Sequence, residues 1–191
     1  MNDCPSLQPL IDQLRALWAS EPDIEQRMRK AKPLVERLIT DPDLRDKTRN
    51  WPMTPRQNLL FYEDPDYGFT LNATVRVQGS SPGVPHDHAH AWTLYAICEG
   101  SESMERYEQV DNGSRPGHAE LRLTSVTPGN AGDVDLIAPR SIHLERAGPE
   151  RSSALILRSE RLVGRTLQRL FNLEKQSVVE GQGPEQVPYT F

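Results

Sequence analysis

Apolar positions recur at helical spacing at the start of the chain. Leu7, Leu10, Ile11, Leu14, Leu17 and Trp18 fall on one stripe, the pattern of a helix that buries one face against a larger body. Ser20 is placed to cap a second helical segment, with Asp23 and Glu25 near its positive end. Pro33 predicts a kink or a split in that segment, and Asp41-Pro42-Asp43 reads as a turn. From Asn58 the pattern changes to short runs that predict strands at residues 59–63, 69–78, 92–98, 103–110, 119–126, 134–138, 142–145 and 153–158. Turn residues punctuate them at Asp64-Pro65-Asp66, Gly79-Ser80-Ser81-Pro82-Gly83, Asp111-Asn112-Gly113 and Pro128-Gly129-Asn130. Asp111-Asn112-Gly113 suits a long-looped hairpin. Many short strands at this spacing predict an all-β core, a sandwich or barrel. Beyond Arg158 the spacing turns helical again, with Leu162, Leu167, Leu170 and Phe171 mostly on one side. The expected organisation is a helical layer over residues 1–55, the β core over 56–160, and a C-terminal helix with an irregular tail over 161–191, all in one structural domain.

Composition narrows the function classes. The chain has 191 residues, 36% hydrophobic and 26% charged, a globular balance. A formal net charge of -5 argues against general nucleic-acid binding, which needs a basic face. No apolar run approaches the ~20 residues that cross a bilayer, and the first residues lack the features of a signal peptide. A cytoplasmic protein without membrane or nucleic-acid partners is expected. Cys4 and Cys98 are too far apart for a zinc ribbon or redox pair. Cys98, which ends the apolar run from Trp92 to Cys98, reads as a small buried hydrophobe.

The candidate chemistry lies in histidine. Three of the five occur in Pro85-His86-Asp87-His88-Ala89-His90. Alternate residues of an extended segment share a face, so His86, His88 and His90 can all point inward. Neutral imidazoles are good ligands for zinc, copper, iron or nickel. His118, in Arg115-Pro116-Gly117-His118, reads as an exposed loop residue.

The stretch from Gly132 through Pro139 to His143 resembles the second motif of the cupin superfamily, and the stretch from Gly79 to Gly100 resembles the first. The resemblance implies a cupin double-stranded β-helix, or jelly-roll, barrel whose two motifs converge on a metal. Cupins place a glycine thirteen or fourteen positions after the first histidine. Gly100 stands fourteen after His86 and twelve after His88, so the resemblance selects His86, His88 and His143 as ligands and leaves His90 to the pocket. The glutamate that many cupins add falls at Trp92 or Thr93 here, which implies a neutral three-histidine set. Such a set leaves three positions of an octahedral ion open and attracts an anionic donor such as a thiolate.

Within the cupins, Pro85-His86-Asp87-His88 and Arg56-Gln57-Asn58-Leu59-Leu60 resemble the thiol dioxygenases, the family of cysteine dioxygenase and 3-mercaptopropionate dioxygenase. This implies iron(II), a small thiol substrate to whose sulfur O2 is added, and a sulfinic acid product, in a monomer or homodimer. Gln57 matches the substrate-facing position of the mercaptopropionate-type enzymes, and Thr93 replaces the crosslinking cysteine of the mammalian ones. The family's Ser-x-His-x-Tyr relay is missing: the matching stretch is Ala154-Leu155-Ile156-Leu157-Arg158-Ser159-Glu160. Arg158 falls near the relay histidine and is suited to a substrate carboxylate. Gln57, Arg158, His90 and Trp92 are thus the expected substrate residues. The alternatives are a metal-dependent cupin of another class (a carbon-cleaving dioxygenase, isomerase or lyase) and a non-catalytic small-molecule-binding cupin.

Overall fold

The computed structural model describes residues 4–54, 57–77 and 83–190. Arg56, Gln78 and the turn residues 79–82 lie outside them. The helical layer comprises α1 (Leu7–Ser20), α2 (Ile24–Ile39) and α3 (Pro42–Thr48). Leu7, Leu10, Ile11, Leu14 and Trp18 form the buried stripe of α1. Ser20 ends α1, with its hydroxyl bonded back to Ala16. The cap of α2 is instead Asp23, which accepts from the Gln26 N–H at 2.8 Å. Pro33 does not split α2. Asp41-Pro42-Asp43 is more than a turn: Asp41 caps α3, and Pro42 occupies its first turn, where a missing N–H costs nothing.

All eight expected strands are present: β1 (Gln57–Glu63), β2 (Thr70–Arg76), β3 (Thr93–Glu99), β4 (Ser101–Gln109), β5 (Leu121–Asn130), β6 (Val134–Ile137), β7 (Ile142–Ala147) and β8 (Ser152–Arg158). Pro128 and Gly129 lie within β5 rather than in a turn, at the edge of its sheet, where proline removes no ladder bond. The expected C-terminal helix is absent. That segment forms β9 (Gln168–Asn172), β10 (Ser177–Gly181) and β11 (Glu185–Pro188). Tertiary pairing overrides its short helical period: β11 runs parallel to β1, and Phe171 is buried with Ala119 and Ile142.

One sheet has the order β11-β1-β2-β8-β3-β6, and a second has β5-β4-β7. Single-residue bridges from His86 to His143 and to Leu170 extend the second sheet through β9 to β10. Strand alternation divides the first sheet's side chains. Leu59, Leu71, Leu94, Ala96, Leu155 and Leu157 pack against the helices. Tyr95, Ile97, Ala154 and Ile156 pack with Met104 and Ile137 from the other strands. The result is a double-stranded β-helix with helices on one outer face and a partly polar interior.

Candidate metal centre

His86 lies opposite His143 as a hydrogen-bonded antiparallel pair: each N–H donates to the other's carbonyl at 2.9 Å. The segment around His86 is held on its other side by β9, where the Phe171 N–H donates to Pro85 at 2.8 Å. Asp87, between the two histidines, accepts from Arg169 Nε at 2.6 Å and from the Ala89 N–H at 3.1 Å. It therefore fixes the histidine segment to β9.

The ring centroids of His143 stand 4.6 Å from those of both His86 and His88. One nitrogen from each of the three rings lies within 4.8 Å of the others, a group able to hold a metal ion. The hydrogen-bond partners assign the tautomers. His86 Nδ1 donates to the Val84 carbonyl at 3.1 Å and His143 Nδ1 to the Ser141 carbonyl at 2.8 Å. His88 Nδ1 meets Thr93 Oγ1 at 3.0 Å. With Nδ1 donating to a carbonyl, His86 and His143 can each turn Nε2 to the shared centre, the arrangement by which outer hydrogen bonds orient metal-binding imidazoles, whereas His88 Nε2 also meets the Arg158 guanidinium at 3.3 Å. His143 Nε2 is buried without a hydrogen-bond partner, an arrangement that fits an ion. Burial lowers the His86 pKa to about 4. Burial, then Arg158 and the other rings, hold His88 well below its ordinary value. Both rings are neutral at pH 7, the form that binds metal.

Backbone strain is concentrated beside this group. Ala89 and Arg140 have φ of 48° and 58°, in the left-handed region that non-glycine residues avoid. The Arg140 N–H donates to the Ala89 carbonyl at 2.8 Å, joining the loop after His88 to the loop before His143. Strain of about 1–3 kcal/mol per residue persists only where the surroundings enforce it.

Arg158, at the end of β8, pairs in register with Thr70 on β2 and Thr93 on β3. It is 4% exposed, its Nη2 is 3.3 Å from His88 Nε2, and its Nε has no partner among the described residues. Burial lowers its pKa to about 10, so it remains a cation at pH 7.

The other expected substrate residues are engaged elsewhere. Gln57 shares a strand face with Leu59, on the helix side, and its amide donates to Glu185 at 3.0 Å. His90 is exposed and pairs with Glu160 at 3.1 Å. Trp92 packs against the helix-side core. Alternation explains both Gln57 and Trp92, each one residue out of step with an inward position (Asn58 and Thr93). His118 lies in its loop against Arg115 at 2.8 Å.

Glu145 is a residue that the sequence reading missed. It is 6% exposed, and its Oε1 stands 3.6 Å from His143 Nε2. The available signal was His143-Leu144-Glu145, two residues on one face of a strand. Burial opposes its charge, but His143, His86 and Arg76 outweigh burial and hold its pKa well below the usual carboxylate range. Arg76 links it to a deeper network. Its guanidinium is 3.6 Å from Glu145 and 3.1 Å from Glu102, and Glu102 accepts from Tyr95 and Ser152, both at 2.7 Å. A cavity of about 490 Å³ reaches Tyr95, Glu102 and Glu145.

Fold and site together define a double-stranded β-helix barrel with a three-histidine group suited to a metal ion. An uncharacterised double-stranded β-helix protein from Klebsiella pneumoniae is 18% identical over 66% of this chain and 92% of its own, with a TM-score of 0.41. KdgF from Halomonas sp. is 17% identical over 54% of this chain and 76% of its own, with a TM-score of 0.39. Peruvianin-I, a cysteine peptidase from Thevetia peruviana latex, is 21% identical over 56% of this chain, with a TM-score of 0.40. The matched region is 57% of peruvianin-I and 22% of an 11S globulin from Wrightia tinctoria, well short of either protein's length. No family model and no curated protein matches the sequence. Among the described residues no helix is long and apolar enough to cross a membrane. The functional reading therefore rests on the site.

Proposed function

We propose that this chain is a non-haem iron(II) dioxygenase that converts a small thiol carboxylate to its sulfinate. The observation that carries the reading is Arg158: a buried guanidinium with an unpartnered Nε beside three converging imidazoles. Such a site suits a substrate with one anionic group for the guanidinium and a second, soft donor for the ion. Iron(II) held by His86, His88 and His143 would supply the means to activate O2 and to favour the thiolate. Thr93 and the Val84 and Ser141 carbonyls keep the rings oriented, and Arg158 binds the carboxylate. In the net reaction, R–S⁻ and O2 give R–SO2⁻. Both oxygen atoms bond to sulfur, which loses the four electrons that O2 gains, so no further reductant is needed.

A second reading has its own support. Gln57, tied to Glu185 on the opposite strand face, and the missing relay both favour a metal-dependent cupin of another reaction class. The test is to load the purified protein anaerobically with iron(II) and follow O2 uptake with a panel of thiols, identifying products by mass spectrometry. Sulfinate formed with one-to-one O2 consumption is the expected result. Iron binding with no sulfinate from any thiol would overturn the proposal and leave the second reading.

A further inference from the structure

Several buried polar atoms on the inner side of the barrel have no hydrogen-bond partner. Among the described residues these are Arg158 Nε, Asn72 Oδ1, Gln168 Nε2 and both amide atoms of Gln186. Asn72 lies opposite Ile156 in the ladder between β2 and β8, and Ile156 belongs to the inward-facing cluster. The Asn72 amide nitrogen donates to Thr70 Oγ1 at 2.9 Å, next to Arg158 in the same ladder, which leaves its oxygen unused. Gln186 lies opposite Asn58. The next residue on β1, Leu59, turns to the helices, so alternation sends Asn58 and Gln186 inward. Gln168 precedes Leu170, the partner of His86, by two positions and shares its strand face. Its amide rests close against the loop before β11: a Cβ at Gly183 would stand 3.0 Å from Gln168 Nε2. Asn72 and Gln168 are 1% exposed and Gln186 7%. Buried amide atoms without partners are costly, and on one inner surface they form a set of donors and acceptors for a polar ligand.

We propose that Asn72, Gln168 and Gln186 form a recognition wall for hydroxyl groups on a carboxylate ligand, so that the site selects a hydroxylated acid over a plain one. The wall offers donors at Gln168 and Gln186 and acceptors at Asn72 and Gln186. A hydroxyl is both donor and acceptor, so it satisfies either kind of atom. Arg158 completes the wall as the anchor for the carboxylate. The inference rests on the carboxylate-binding part of the function above and deepens it: the preferred substrate carries hydroxyls that a plain thiol acid lacks. Strands β9 and β11 thereby supply the amides that Gln57, turned to the helix side, does not.

The test measures binding of propionate and glycerate, which share a carbon chain and differ only in hydroxyls, to the full-length protein by calorimetry. The protein is used as purified and again after metal removal, because an ion can itself chelate a hydroxy acid. Glycerate is expected to bind about 10-fold more tightly than propionate in both states. Gln168→Leu and Asn72→Leu are each expected to cut that ratio to about 3-fold or less while leaving propionate affinity within about 2-fold, a selective loss that a merely structural role would not produce. Equal affinities in the wild-type protein, a preference seen only with metal present, or a ratio unchanged in both variants overturns the proposal. Should the variants fail to fold, a crystal structure of the wild-type protein with glycerate decides. A hydroxyl within about 3.2 Å of the Gln168 or Asn72 amide supports the wall, and none there overturns it. Binding of neither acid overturns the wall and the anchoring role of Arg158 together. A glycerate preference without sulfinate from any thiol overturns the thiol reading alone, and sulfinate formation without the preference overturns the wall alone.

Discussion

His88 is held from two sides, by Thr93 at Nδ1 and by Arg158 at Nε2. The two contacts do different work. Thr93 is fully buried and fixes the ring without facing the shared centre. Thr93→Val keeps the shape and removes the hydroxyl. Metal affinity is expected to fall by about 10–100-fold, measured by cobalt titration, while O2 uptake at saturating metal changes less. Arg158 faces the centre itself. Arg158→Met replaces a buried charge with an apolar chain of similar reach, a change that is often neutral or stabilising for the fold. Thermal stability is expected to hold or rise. KM for a thiol carboxylate is expected to increase by about 10–100-fold, the loss of a charged hydrogen bond of roughly 1.5–3 kcal/mol, with a smaller effect on an uncharged thiol. Equal losses with both substrates would remove Arg158 from carboxylate binding.

At the scale of elements, the turn between β3 and β4 shows why one glycine was so informative in the sequence. Gly100 has φ of +73°, and a Cβ there would stand 2.3 Å from the Arg151 carbonyl oxygen and 3.0 Å from Ser152 Cα. Both obstacles are backbone, so neither can move aside as a flexible side chain would. Gly100→Ala is expected to lower unfolding free energy by at least about 2 kcal/mol, measured by urea denaturation. Local constraints of this kind made β1 to β8 legible, because alternation and turn residues lie within each strand's own neighbourhood. The C-terminal strands were not legible for the opposite reason. β11 pairs with β1 through Gln57 and Glu185, and Leu170 bridges His86, partners that no local period reveals. The site divides similarly. His86, His88 and His143 stood out through the resemblance of their two stretches to the cupin motifs, and Arg158 through its place near the relay histidine of the thiol dioxygenases. Glu145 and Thr93 acquire meaning only when β3, β7 and β8 share one interior.

The whole molecule buries titratable groups whose protonation opposes the folded state, and the direction of that linkage can be worked out. The folded-state pKa of His86 is lowered from 6.5 to about 4 by burial, and His88 is also held well below its ordinary value. Between these limits the unfolded chain binds protons that the folded chain refuses. Stability therefore rises with pH across the window. It is fully present above about pH 6.5, falls as acid is added, and has lost the His86 contribution at about pH 4. That contribution is on the order of 3 kcal/mol, and the lowered pKa of Glu145 adds loss of the same sign at lower pH. A bound ion competes with protons for the same Nε2 atoms, so it binds the folded form more weakly as acid is added but stabilises it wherever it remains bound. The metal-free protein is expected to show a falling melting temperature from pH 7 to pH 4, measured by calorimetry. Cobalt should raise that temperature most at neutral pH and progressively less toward pH 4. A metal-free melting temperature that does not change across this range would show that the rings do not resist protonation in the fold. It would remove the neutral imidazole cluster on which the metal centre depends.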